Sequence, residues 1–157
     1  MRSAVLSVSA AVLLLVSGCA GGGSEQDDLL RAHGLEGAST QEVVEQLDRT
    51  HEDRDAGLAG SVTYDEVVLD DGTAETTLPM PEDRFYLAVA PYATTTHECF
   101  FHSLATCHGE LVDEPVEVTI TDSDGAVLVD ESATTHSNGF VGYWLPEGVE
   151  GTGQVRP

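Results

Sequence analysis

The spacing of apolar residues changes several times along this chain, and the changes divide it into segments. An apolar run from Ala4 to Val16 follows a single basic residue, Arg2. It is too short to span a bilayer and has the form of a secretory leader. Leu29 and Leu30 then give an apolar side to a short helix predicted from Asp27 to Leu35, opened by acidic residues and stopped at Gly34, with Leu35 as the hydrophobic contact. A second helix is predicted from Ser39, where Ser39-Thr40-Gln41-Glu42 has the form of a capping box and Val43, Val44 and Leu47 make an apolar stripe. Charges and glycines from His51 to Gly60 read as a linker.

Beyond Ser61 the period shortens to that of strands. Val62 to Leu69 is rich in β-branched residues and runs into Asp70-Asp71-Gly72, a hairpin signal. Thr73 to Leu78 is the predicted return, stopped by Pro79-Met80-Pro81, with Met80 read as packing. Arg84 to Ala90 is strongly apolar, reads as a central strand and is closed by Pro91. Val116 to Thr121, Ala126 to Asp130 and Phe140 to Leu145 predict a three-stranded meander, with turns at Asp122-Ser123-Asp124-Gly125 and Asn138-Gly139. The first of these turns lacks the glycine position and later ligands of a calcium loop. Phe140, Tyr143 and Trp144 are expected to bury aromatic area. The pattern as a whole predicts an α+β protein: two short N-terminal helices followed by an antiparallel β domain carrying a Cys/His loop.

Val16-Ser17-Gly18-Cys19 resembles a bacterial lipobox, with Gly21-Gly22-Gly23-Ser24 as a spacer after it. The predicted organisation is a signal peptide over 1–18, a lipidated Cys19 with a flexible tether over 19–27, a helical region over 28–58 and a β domain over 59–157. Acyl chains such as palmitate on Cys19 would hold the protein at the outer face of the bacterial cell membrane, in the periplasm or at the cell surface. The formal net charge is −22, from 28 acidic residues against six arginines and no lysine. Such a field repels nucleic acid, so no nucleic-acid partner is expected. Solubility or adaptation to salt accounts for the acidic excess, which by itself makes no metal site.

The chemistry is concentrated between Thr96 and Glu110. This stretch holds Cys99 and Cys107, the two cysteines left once Cys19 is removed into the anchor, and the histidines His97, His102 and His108. An extended strand would carry the two sulfurs about 26 Å apart, at ~3.3 Å per residue. A helix would leave them about 12 Å apart along its axis. Bridged cysteines need Cα atoms within roughly 7 Å, so the segment must fold back if the sulfurs cooperate. In an extended limb His97 and Cys99 point to one face. Thiolate selects Cu(I) or zinc, and imidazole suits zinc, copper and other transition ions. The spacing matches neither a zinc knuckle nor a Cys-x-x-Cys redox motif. Outside the cytoplasm an even pair of cysteines is also consistent with a structural disulfide. His33, His51 and His136 read as ordinary surface residues, and Glu110 as structural.

The run Glu98-Cys99-Phe100-Phe101-His102-Ser103-Leu104-Ala105-Thr106-Cys107, followed by Gly109-Glu110-Leu111, resembles the signature of the CueP family of periplasmic copper-binding proteins. The likeness extends upstream through Phe85-Tyr86-Leu87-Ala88-Val89-Ala90-Pro91-Tyr92 and Thr96-His97, and downstream through Asn138-Gly139-Phe140-Val141-Gly142-Tyr143-Trp144-Leu145-Pro146. The resemblance implies extracytoplasmic copper binding with cysteines as the principal ligands. Members of the family carry a third cysteine near the C terminus, whereas residues 151–157 hold none, so a three-cysteine site does not carry over. One of His97, His102 and His108 is then the candidate for the missing ligand.

The reading is a copper-binding lipoprotein, with Cu(I) as the cargo and zinc as the other metal these donors suit. It buffers copper or passes it to a copper-accepting or redox partner protein. A disulfide-pinned binding module and a thiol redox protein that reduces Cu(II) are the alternatives. The second would be an enzyme and would need an exposed thiolate of low pKa, for which the neighbouring residues give no signal. If Cys19 is the anchor, the mature protein partitions into the membrane fraction, and Cys19→Ser releases it or leaves an uncleaved precursor. Fractionation followed by N-terminal sequencing checks this, and a wild-type mature protein found free in solution with another N terminus refutes it.

Overall fold

The computed structural model describes residues 22–50, 55, 57–97 and 101–156. The predicted leader, Cys19, residues 51–54 and 56 of the predicted linker (His51 included), and Glu98, Cys99 and Phe100 lie outside the described residues. Helix α1 spans Gly22–Ala32 and so begins ahead of the Asp27 start read from the sequence. Its stop is the expected one. Gly34 takes φ 70°, its N–H donates to the Arg31 carbonyl, and the Leu35 N–H donates to the Leu30 carbonyl at 2.7 Å, the paired bonds of a Schellman ending. Helix α2 spans Thr40–Leu47, and the Ser39 capping box is formed in both directions. Val43, Val44 and Leu47 are buried.

The strands make three antiparallel sheets. β1 (Ala59–Val62), β2 (Glu66–Asp70) and β3 (Glu75–Pro79) form a meander. Its open edge on β1 is taken by the very short β5 (His102–Ser103), with Val62 opposite His102 and Ser61 opposite Ser103. β4 (Arg84–Val89) pairs with β8 (Val141–Pro146) in a two-stranded ribbon. β6 (Pro115–Asp122) lies between β7 (Val127–Thr134) and β9 (Gly151–Arg156).

The C-terminal meander is therefore corrected. The strand that follows Asn138-Gly139 leaves β7 and pairs with β4, while the third place in the last sheet goes to β9, which carries no strong apolar signal. The physical reason is two-sided burial. Along the ribbon, Phe85, Leu87, Val89, Val141, Tyr143 and Leu145 pack with Val116, Val118 and Ile120 in one core. Tyr86 and Trp144 point the other way, against the core that α1 and α2 share with the first sheet. A strand apolar on both faces belongs in a middle layer, whereas Gly-Thr-Gly-Gln suits an exposed edge. β4 is central by layer, with β8 as its hydrogen-bonded neighbour. Met80 and the aromatic residues serve as packing, as expected.

The segment of interest is tied down at two points. Leu104 is 1% exposed in the first core, and its N–H donates to the Gly60 carbonyl at 2.9 Å. Further on, the Gly109 N–H donates to the Asn138 carbonyl at 2.7 Å. That approach is backbone against backbone: a Cβ on Gly139, which takes φ +81°, would lie 2.7 Å from the Gly109 Cα. Gly139→Ala is expected to cost about 2–3 kcal/mol, from left-handed backbone strain and overpacking together. Urea unfolding checks this, and a variant within experimental error of wild type would show that the two turns separate freely.

Candidate metal centre

Three elements deliver the donor-bearing residues. After β4, Pro91 ends the strand and the chain turns through Ala93–Thr95. The turn is closed by Glu110, whose carboxylate accepts the N–H groups of Ala93 at 2.9 Å, Thr94 at 2.8 Å and Thr95 at 3.0 Å, and the Thr94 hydroxyl. The Thr94 hydroxyl first, then the three amides, hold this carboxyl down at about 2. Glu110 thus works as an anionic clamp on the turn, in keeping with its structural reading. His97 and His108 are exposed and line one shallow cleft of about 260 Å³ with Thr95, Thr96, Gly109 and Glu110.

His102 goes elsewhere. As part of β5 it faces the interior, with a side chain 12% exposed, and its ring packs on Phe140 at 4.6 Å between centroids. Its Nε2 lies 2.5 Å from Asp48 Oδ1. Asp48 closes the end of α2 and is 1% exposed. The same carboxylate accepts the Tyr86 hydroxyl and, at 3.2 Å, the Asn138 Nδ2. Asn138 Nδ2 also donates to the Asp48 carbonyl at 2.7 Å, while its Oδ1 accepts the Phe140 N–H at 2.9 Å, which fixes the orientation of the amide. Tyr86 and Asn138 donate to this carboxylate, and His102 Nε2 meets it within hydrogen-bond distance. Burial first, and the Asp48 charge second, push the Tyr86 phenol well above the ordinary tyrosine range, so it remains a donor. A Cβ on Gly142 would fall 1.7 Å from the Tyr86 hydroxyl oxygen; the glycine on β8 leaves the phenol its path.

Cys107 closes the turn after β5. It is 7% exposed, its N–H donates to the Ser103 carbonyl at 3.2 Å, and its sulfur accepts the Ser103 N–H at 3.4 Å. The sulfur therefore sits beside the residue that follows His102. Among the sequence candidates, His97 and His108 share the outer cleft, His102 and Cys107 belong to the buried side, and Cys99 lies outside the described residues. Among the described residues, no three His, Cys, Asp or Glu side chains are grouped to hold a metal ion. The sequence reading passed over Asp48, Tyr86 and Asn138. The signal for Asp48 was present: it stands four positions after Val44, on the apolar face of α2, where a carboxylate needs partners.

The fold and this segment define a class, small α+β proteins that present soft sulfur and imidazole donors from one short stretch. The family model described as periplasmic copper-binding protein CueP matches residues 42–156. A solved structure described as the crystal structure of S.CueP is 42% identical, with a TM-score of 0.81 over 85% of this chain and 83% of that one. Comparison with curated proteins gives no match. The chain belongs to the CueP family of periplasmic copper-binding proteins. Among the described residues no helix is long and apolar enough to cross a membrane.

The Glu110 clamp gives a pH test. A carboxyl lowered from 4.5 to about 2 adds stability that is fully present above pH 4.5 and is lost as the pH falls toward about 2. Glu110→Gln should therefore be less stable than wild type at neutral pH, with the difference closing toward pH 2. Urea midpoints across that range measure it, and a difference that does not change with pH would show that the charge contributes nothing.

Proposed function

We propose that this protein binds copper as Cu(I) outside the cytoplasm and buffers it or passes it to an accepting or redox partner protein. The thiolates of Cys99 and Cys107 are the principal ligands, and His102 is the imidazole that completes the set. His97 and His108, in the outer cleft, are the alternative imidazoles. The observation that carries this reading is Cys107: a nearly buried sulfur that receives the N–H of Ser103, the residue after His102, within the stretch that the family model matches. An N–H donor on sulfur balances thiolate charge, and thiolate selects Cu(I). Zinc is the second metal for these donors. The leader over 1–18, the lipid on Cys19 and attachment to the cell membrane belong to the same proposal, as do the regional boundaries read from the sequence. The burial of Cys107 argues against an exposed, attacking thiolate and so against a redox enzyme.

Competition for Cu(I) against a chromogenic chelator, run beside denaturant unfolding, tests the site. For reduced protein, Cys99→Ser and Cys107→Ser should each lower affinity at least about 100-fold, and the double variant should be little worse, because ligands of one ion act as a unit. Stability should stay close to that of wild type. A structural disulfide predicts the reverse: as-isolated Cys99→Ser loses about 2–5 kcal/mol relative to as-isolated wild type, and Cu(I) affinity is unchanged in both single variants.

A further inference from the structure

We propose that Asp48 is a positioning residue for copper: its buried carboxylate holds His102 so that Nδ1 is the ring atom presented to the metal. The inference rests on the copper site proposed above. A carboxylate that is 1% exposed needs a reason to be in a core. Burying a charge is expensive, and well-packed apolar residues usually serve stability as well or better. Stability alone therefore gives no reason for a charge at the end of α2.

The geometry supplies one. The 2.5 Å contact engages His102 Nε2 with Asp48 Oδ1, and with the carboxylate as acceptor in that bond the proton sits on Nε2. A neutral imidazole protonated at Nε2 carries its lone pair on Nδ1. Histidine ligands of metals commonly donate the other ring N–H to a carboxylate in this way, which fixes tautomer and ring plane together. Here the ring plane is fixed again by Phe140, and the carboxylate is fixed by Tyr86 and Asn138, which come from β4 and from the turn before β8. The remaining ring nitrogen belongs to the residue next to Ser103, whose N–H meets the Cys107 sulfur.

The plain alternative is that the network only fastens α2 to β4, β5 and the turn over 135–140. Two measurements separate the readings. In metal-free wild type, ¹⁵N NMR of the His102 ring should show the Nε2–H tautomer. An Nδ1–H tautomer overturns the proposal without any variant. Competition with Cu(I) as the probe should then show Asp48→Asn weakened about 10–100-fold, with no further loss when Asp48→Asn is added to His102→Ala. If Asp48→Asn does not fold, Tyr86→Phe, which leaves the carboxylate in place, should show a smaller loss that also vanishes in the His102→Ala background. Losses that multiply independently of His102, or an unchanged affinity in folded Asp48→Asn, overturn the positioning role. Should the cysteine variants collapse affinity while Asp48→Asn does not, only this inference fails. Cysteine variants that bind Cu(I) like wild type overturn the copper site and this inference with it.

Discussion

A single buried carboxylate gathers the parts of this molecule that sequence order keeps far apart. Asp48 stands at the end of α2 and is hydrogen-bonded to Tyr86 on β4, His102 on β5 and Asn138 in the turn ahead of β8. Each partner is fixed by a further contact: Tyr86 by Trp144 at 5.0 Å, His102 by Phe140 at 4.6 Å, and Asn138 by the Phe140 N–H. Removing one member of such a buried network leaves the others desolvated and unpaired, which costs more than the lost bond itself. The segment that carries His102 and Cys107 thus has its inner wall set by Asp48, Tyr86 and Asn138, residues of other elements.

The middle ribbon explains how that wall stays in place. β4 and β8 show one face to the core beneath the helices and the other to the core under the last sheet. Tyr86 reaches Asp48 from the first face while Phe85, Leu87 and Val89 are held by the second. Glu110 and the Gly109–Asn138 bond then fasten the exit of the segment to the turn after β4 and to the turn ahead of β8. Entry and exit are therefore anchored to the same two strands.

What the sequence made legible was local. The capping box at Ser39, the Gly34 ending and the Asp70-Asp71-Gly72 turn depend on a few neighbouring residues, and each formed as read. Strand pairing depends on which faces find cover, and no local signal reports that. Asn138-Gly139 does mark a turn, yet the strand after it crosses to β4 because Trp144 and Tyr143 need opposite cores. β9 was passed over because an exposed edge carries little apolar pattern. The concentration of sulfur and imidazole between Thr96 and Glu110 was plain from residue types. Its division into an outer pair, His97 and His108, and an inward His102 was not, because the deciding contact is with Asp48, a residue distant in sequence.

The packing of Trp144 on Tyr86 has an optical consequence. The chain has one tryptophan, and its ring lies 5.0 Å from the phenol that is bonded to Asp48. Light absorbed near the centre is therefore emitted from a fluorophore three contacts away from His102. Any rearrangement of the phenol changes the surroundings of that indole, so the wavelength and yield of its emission follow the state of the network. The protein carries a built-in spectroscopic reporter of its own candidate centre, with no label added.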